Sequence, residues 1–167
     1  MKRNFTTQEA FDLAVQNRQK NNFQIAENLY REILKTNPDH FESIFDLGAL
    51  LAQTKRFDLA KPLLQKAIQI NPNYAHLHNN LGIVFRELGK KQKAISSYQK
   101  AIQINPNYVD VHCNLGITFS ELGENQKAIS SFEKAIKIQP NYADAYWNLH
   151  SHALDVDEAL TILKKLY

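Results

Sequence analysis

The chain has 167 residues, of which 44% are hydrophobic and 22% are charged, and its formal net charge is +3. This composition is typical of a folded protein with a real core, and the mild charge gives no argument for nucleic acid or acidic lipid as a partner. Its apolar runs are too short for a bilayer-spanning helix. The lone Cys113 excludes an internal disulfide, and no apolar signal segment follows Met1, so we predict a cytoplasmic protein.

A repeat of 34 residues organises the chain. The segments 75–108 and 109–142 carry the same residue at 22 of 34 positions. Pro38, Pro72, Pro106 and Pro140 follow one another at the same spacing. A period of this length indicates an array in which each unit stacks on its neighbours. We predict a single array over residues 1–167, with repeats at 7–40, 41–74, 75–108, 109–142 and a shortened repeat at 143–167.

Within each repeat the apolar residues recur at helical spacing and not with the alternation of a strand. One stripe of the third repeat runs from Leu77 to Leu88, Gly89 interrupts it, and a second stripe runs from Ala94 to Ile104. The pattern predicts one helical hairpin per repeat, with a proline ending each second helix. The predicted helix pairs are 7–20 with 23–35, 41–53 with 57–70, 75–88 with 91–104, 109–122 with 125–138, and 143–154 with 156–166.

Small residues recur at fixed places in the hairpins. Gly48, Gly82 and Gly116 lie in the middle of first helices, where glycine costs about 1 kcal/mol relative to alanine. The repetition of this cost indicates that another helix packs too closely for a Cβ atom. Leu64, Tyr98 and Phe132 are expected to fill the gap between adjacent repeats. The matching small surface on second helices is formed by Ala60, Ala67, Ala94, Ala101, Ala128 and Ala135.

These residues and spacings resemble the tetratricopeptide repeat. The resemblance implies an all-α fold, a right-handed α-solenoid of about five helical hairpins with degenerate end repeats. It also implies a concave groove lined by first helices, in which a non-catalytic scaffold binds an extended peptide or protein segment. The residues that carry the resemblance are Leu81, Gly82, Phe85, Ala94, Tyr98, Ala101 and Pro106, then Leu115, Gly116, Phe119, Ala128, Phe132, Ala135 and Pro140.

The predicted partner-binding residues lie on the groove side of first helices. Asn80, Asn114 and Asn148 recur at repeat spacing, and each offers a hydrogen-bond donor and an acceptor. This row resembles the asparagine ladder of O-linked N-acetylglucosamine transferase-like repeat domains, which implies contacts to the backbone of an extended peptide. Asp46 continues the row. The remaining predicted residues are Phe45, His76, Asn79, Asp110, Cys113, Asp144 and Trp147.

Charge is divided between the two helices of the repeat. First helices are net negative and second helices net positive, so the groove favours a neutral or basic peptide. RNA binding by the basic convex face is a weaker alternative, since no aromatic residues are interleaved with its lysines. Leu160, Leu163, Leu166 and Tyr167 leave an apolar face on the last helix, which indicates self-association. The end of the chain at a second helix favours another alternative, the substrate-recruiting domain of a larger glycosyl-, sulfo- or methyltransferase.

No residue pattern indicates catalysis, a cofactor or a metal site. His76 and His78 are two residues apart and so lie on different faces of a helix, as do His150 and His152. His78 and His112 occupy packing positions and are predicted to be core histidines and not ligands. The sequence has no phosphate loop, nucleophile elbow or carboxylate pair. We therefore predict a protein that is not an enzyme.

Overall fold

The computed structural model describes residues 5–152, and within that range every regular element is an α-helix. Each helix begins at the residue that the sequence predicts and ends within two residues of the predicted position, which confirms the hairpin pattern. The predicted last helix at 156–166, with its apolar face, lies outside the described residues. The described helices are α1 (Thr7–Gln19), α2 (Phe23–Thr36), α3 (Phe41–Gln53), α4 (Phe57–Ile70), α5 (Ala75–Glu87), α6 (Lys91–Ile104), α7 (Val109–Ser120), α8 (Asn125–Ile138) and α9 (Ala143–His152).

The chain divides into two compact units, unit 1 (Met1–Val84) and unit 2 (Phe85–Tyr167), with the boundary inside α5. In unit 1, α1 pairs with α2 and α3 pairs with α4, and α2 packs on α3. In unit 2, α7 pairs with α8, while α6 packs on α7 and α8 packs on α9. Each unit is thus a stack of helical hairpins. None of the helices in residues 5–152 combines the length and the apolar character of a membrane span.

The turn inside each hairpin depends on one residue in the left-handed conformation. Glycine adopts this conformation at no steric cost and asparagine tolerates it, whereas a lysine there carries some strain. The N–H of the next residue then bonds to the carbonyl five positions back, for example Arg56 N to Leu51 O at 2.8 Å. The left-handed residues stand 34 positions apart and are Asn21 (φ 60°), Lys55 (φ 59°), Gly89 (φ 71°) and Gly123 (φ 75°).

The prolines have a second role beyond ending the second helices. α2, α4, α6 and α8 each end two residues before a proline, as the spacing predicts. The proline carbonyl is then bonded by a histidine of the following first helix: His78 Nε2 lies 2.8 Å from Pro72 O, and His112 Nε2 lies 2.8 Å from Pro106 O. Both histidines are buried. These contacts confirm the prediction that they are core residues whose polar atoms are satisfied.

Glycines and bulky side chains face each other inside the hairpins. A Cβ atom on Gly48 would lie 3.0 Å from Leu64 Cδ2, and one on Gly116 would lie 2.5 Å from Phe132 Cε1. Phe132 also belongs to a buried cluster that includes Ala145 of α9, so it joins its own hairpin to the next helix. The alanines of the second helices are fully buried, namely Ala60, Ala67, Ala94, Ala101, Ala128 and Ala135.

Candidate protein-interaction surface

The asparagines of the predicted row are half-buried on first helices, Asn80 in unit 1 and Asn114 and Asn148 in unit 2. Asn148 is held by its surroundings. Its Nδ2 donates to Asp144 O at 2.6 Å and lies 3.9 Å from Cys113 Sγ. Because the amide hydrogens point at groups of the protein, Oδ1 is the atom with which Asn148 can accept an N–H of a partner.

Asp46 continues the row in sequence, but its carboxylate is bound inside unit 1. Arg18 Nη1 lies 2.7 Å from Asp46 Oδ1, and the Tyr30 hydroxyl donates to Asp46 Oδ2 at 3.3 Å. Burial raises the pKa of Asp46, and the Arg18 charge opposes that change. Asp46 therefore joins α3 to α1 and α2 and does not present a rung to a partner. The sequence carries a signal for this contact, because Arg18 and Tyr30 recur two repeats later as Arg86 and Tyr98.

Two other predicted residues lie below the surface. The sequence predicts that Asn79 and Cys113 contact a partner. Asn79 is 6% exposed and Cys113 is 4% exposed, so neither side chain is available for that contact. Successive positions on a helix are about 100° apart, which turns Asn79 and Cys113 away from the neighbouring row residues Asn80 and Asn114 and toward the packed side. Burial raises the pKa of Cys113 to about 11, with the nearby Asp144 and Asp110 charges adding to it. Burial and the two carboxylates thus favour the neutral thiol of Cys113 over the thiolate.

In unit 1, Phe45 and His76 belong to one cluster of rings. The Phe45 ring stacks on Phe41 with the centres 6.5 Å apart, and it meets Tyr74 edge-on at 5.3 Å. Tyr74 in turn lies 5.2 Å from the His76 ring. Phe41, Phe45 and Tyr74 are half-buried and His76 is exposed, so one edge of the cluster reaches solvent. This edge is an apolar contact area with a polar tip.

In unit 2, Asp110, Asp144 and Trp147 form what we call the acidic surface. Trp147 is 74% exposed, and Asp144 lies one turn before it on the same face of α9. The Tyr142 hydroxyl donates to Asp110 Oδ1 at 2.7 Å and so fixes that carboxylate. Tyr142 directly precedes α9, and Asn148 Nδ2 of α9 lies 3.9 Å from Cys113 Sγ of α7, so Asp110 and Asp144 stand on neighbouring first helices that pack together. Within residues 5–152 no lysine or arginine pairs with either of them.

The lysines of second helices are partly engaged with the protein itself. Lys93 Nζ lies 6.0 Å from the centre of the Phe85 ring, and Lys127 Nζ lies 5.4 Å from that of Phe119. These distances allow cation–π attraction, which draws the lysines onto the surface of their own unit. In the part of the chain that the structure describes, no group of three or more His, Cys, Asp or Glu side chains is arranged to hold a metal ion.

Family comparisons match most of the described chain. Models of the tetratricopeptide repeat match residues 18–81 and 109–142, and a further model described as a TPR repeat matches residues 84–123. A search of curated protein sequences gave no significant match.

Solved structures share the fold over nearly the same length. The crystal structure of MamA protein superposes with a TM-score of 0.83 at 29% identity, covering 96% of this chain and 89% of that one. MamA 41-end from Desulfovibrio magneticus RS-1 gives 0.78 at 23% identity, covering 82% and 77%. YrrB, described as a TPR protein with an unusual peptide-binding site, gives 0.76 at 21% identity, covering 96% and 84%. The latter two likenesses concern the fold alone.

Proposed function

The chain belongs to the tetratricopeptide repeat family, and on that premise we propose that it is a non-catalytic scaffold whose first helices bind an extended segment of a partner protein. The family match supports a general protein-binding role. We infer further that the partner segment is basic and that unit 2 supplies its main contacts. The observation that carries this inference is the acidic surface formed by Asp110, Asp144 and Trp147.

Trp147 is the most exposed large apolar side chain among the described residues, at 74%. Tryptophan is enriched among the residues that dominate binding energy in protein interfaces, because it offers a large rigid contact area with few rotatable bonds. The face of the indole also attracts a lysine or arginine of a partner. An exposed tryptophan beside two carboxylates therefore fits a basic side chain better than an apolar one.

The two carboxylates are already positioned for such a partner in the free protein. Asp110 is fixed by the Tyr142 hydroxyl, and Asp144 lies in the first turn of α9 on the same side as Trp147. Since neither carboxylate is paired with a cation within residues 5–152, their charge is available to a ligand. Complementary charge of this kind raises the association rate and selects among partners, and salt weakens it.

Asn148 adds a contact that does not depend on the partner's sequence. Its Nδ2 is used by Asp144 O, so Oδ1 can accept a main-chain N–H of an extended segment that passes Trp147. The proposed site thus combines charge recognition by Asp110 and Asp144 with one backbone contact.

The proposal is tested with two sets of fluorescein-labelled peptides, identical except that lysine and arginine in one set replace aspartate and glutamate in the other. Fluorescence polarisation measures their affinity for the wild type and for the triple variant Asp110→Asn, Asp144→Asn, Trp147→Ala. We expect the basic set to bind the wild type, more weakly as salt rises, and to lose at least about 30-fold in affinity with the triple variant, which corresponds to about 2 kcal/mol.

A matched control removes similar groups from second helices. The variant Asp58→Asn, Leu59→Ala, Glu133→Gln takes away two carboxylates and one exposed apolar side chain at positions outside the proposed site. It should bind the basic peptides as the wild type does. Equal affinity of the wild type and the first-helix triple variant for the basic peptides would overturn the proposal. Binding of single-stranded RNA in competition with the peptides would point to the basic helices instead.

A further inference from the structure

Unit 2 contains buried donors that no acceptor within residues 85–152 satisfies. Arg86 Nε, Arg86 Nη1 and the Tyr98 hydroxyl are buried and have no hydrogen-bond partner among the described residues. Tyr98 is completely buried, and burial raises its pKa, so the hydroxyl keeps its proton and remains a donor. The Thr118 hydroxyl lies near enough to lower the pKa of Tyr98, but it donates its hydrogen to the Asn114 main-chain carbonyl at 2.8 Å and is not in hydrogen-bonding geometry with the Tyr98 hydroxyl. Unsatisfied buried polar groups are rare and point to a missing partner.

Unit 1 shows what the missing partner is. Arg86 and Tyr98 follow Arg18 and Tyr30 by 68 residues, which is two repeats. In unit 1 the carboxylate of Asp46 takes both donors, with Oδ1 2.7 Å from Arg18 Nη1 and Oδ2 3.3 Å from the Tyr30 oxygen. Arg86 Nη1 is the same atom of the guanidinium that Asp46 binds in Arg18.

Asparagine stands where unit 2 would need this carboxylate. The residue 68 positions after Asp46 is Asn114. An asparagine side chain has one acceptor oxygen, and the NH2 group that stands in place of the second carboxylate oxygen is a donor, so it cannot offer the two donors separate acceptor atoms as a carboxylate does. The donors of Arg86 and Tyr98 therefore lack the acceptor that the first copy has.

Two glutamates interact with the charge of the Arg86 guanidinium but do not form hydrogen bonds with its buried donors. Glu87 Oε1 lies 2.9 Å from Arg86 Nη2, and Glu121 Oε1 lies 3.9 Å from Arg86 Nε. Glu121 is shared with Lys91, whose Nζ lies 3.5 Å from Oε2. The two glutamates are 39% and 38% exposed, so solvent screens their charges. Neither glutamate is bonded to Nη1 or to the Tyr98 hydroxyl.

We propose that Arg86 and Tyr98 form a carboxylate seat, which Asp46 fills from within the chain in unit 1 and which a side-chain carboxylate of a partner's aspartate or glutamate fills in unit 2. The seat is a second binding element, separate from the acidic surface. Two oxygens of one group match the two donors, and the guanidinium charge strengthens the bonds. The donor atoms of the seat are buried and the Arg86 side chain is 17% exposed, so entry of a ligand requires the guanidinium to shift and to release Glu87 from Nη2.

The first test fills the seat from inside the protein. Asn114→Asp restores the triad of unit 1, and thermal unfolding should show a melting temperature raised by about 3 °C. Asn80→Asp is the matched control. It places the same charge at the same position of a repeat whose corresponding residues, Ala52 and Leu64, offer no side-chain donor, so its melting temperature should not rise. Equal shifts of the two variants would overturn the seat.

The second test fills the seat with a ligand. Sodium formate, the smallest carboxylate, is compared with sodium chloride at equal ionic strength in thermal unfolding of the full chain. The wild type should gain a formate-specific rise of a few degrees, and Asn114→Asp should lose it because the seat is occupied. No formate-specific shift in the wild type, or the same shift in the variant, would overturn the proposal.

The source of the carboxylate is tested in the same assay. N-acetylaspartic acid α-amide carries a side-chain carboxylate, and N-acetylglycine carries the carboxylate of a chain end. A larger shift with the aspartate derivative supports an acidic side chain of a partner. A larger shift with N-acetylglycine would overturn that assignment. These outcomes do not depend on the basic peptides, so the seat and the acidic surface can fail separately.

Discussion

The two units place nearly the same polar triad in two different states. In unit 1, Arg18 and Tyr30 converge on Asp46, and the donors are satisfied. In unit 2, Arg86 and Tyr98 keep their buried donors without a partner among the described residues. The comparison teaches that the same pair of donors, at the same repeat positions, can be part of a complete internal contact in one unit and lack an acceptor in the other. The residue at the third position of the triad differs, a carboxylate in unit 1 and an amide in unit 2.

The units also differ in how charge is used between their hairpins. Glu27 of unit 1 is 4% exposed and is held by Arg56 at 2.6 Å and Arg31 at 2.9 Å. Two and three repeats later the same position is Ile95 and Ile129, both buried. At this repeat position unit 1 therefore has an internal ion pair where unit 2 has buried apolar side chains.

The largest expected effect compares the two glycines that face bulky side chains. Gly116→Ala places a Cβ 2.5 Å from Phe132 Cε1, and Phe132 is fully buried and cannot move away freely. We expect a loss of about 3 kcal/mol in the free energy of unfolding by urea. Gly48→Ala meets the buried Leu64 side chain less closely, with Cδ2 at 3.0 Å and Cγ at 3.1 Å, and the gain in helix propensity of about 1 kcal/mol offsets much of the contact. Similar losses for both variants would contradict this difference in packing.

The next largest effect is expected when the triad of unit 1 is given the asparagine found in unit 2. Asp46→Asn removes one of the two oxygens that Arg18 and Tyr30 use. Because burial already raises the pKa of Asp46, desolvation offsets part of the gain from the ion pair. Arg18 is also 33% exposed, so we expect a loss of about 1.5 kcal/mol, below the 3–5 kcal/mol of a fully buried pair. Urea unfolding that is unchanged from the wild type would show that the triad contributes nothing.

A pH experiment separates the ion pairs of unit 1 from the apolar packing of unit 2. Burial opposes the ionisation of Glu27, but the hydrogen bonds and charges of Arg56 and Arg31 overcome it and hold its pKa below 4.5. Its contribution is therefore full above pH 4.5 and is lost as the pH falls through the lower folded-state value. Glu27→Gln should cost about 1 kcal/mol near pH 7 and less in acid, measured by urea unfolding across that range. A difference that grows on acidification would reverse the sign we give.

The smallest effect should be equal in the two units, because both use the same contact. His78→Phe and His112→Phe keep the ring and remove the hydrogen bond to Pro72 O or Pro106 O. Each should cost somewhat less than 1 kcal/mol in the free energy of unfolding. Tyr146 stands at the corresponding position of the last repeat, which indicates that a ring of this size fits there. A large loss in one variant only would mean that the two histidines are not equivalent.

The sequence by itself determined the period, the helix bounds and the places of the turns. These features are local: prolines at 34-residue spacing end the second helices, and helical apolar spacing fills the stretches between them. It also identified His78 and His112 as core residues, because their register matches a packing position. The asparagine row and the groove that it lines stay predictions of the sequence.

Only the tertiary structure decided which polar side chains the protein uses for itself. Arg18 and Asp46 are 28 residues apart, and their contact depends on how α1, α2 and α3 pack. The same holds for the burial of Asn79 and Cys113, which a helical pattern places close to the exposed stripe. Sequence spacing tells in which direction around its own helix a side chain points, to within a fraction of a turn. Whether a side chain meets a partner is decided by distances between helices, which periodicity does not contain.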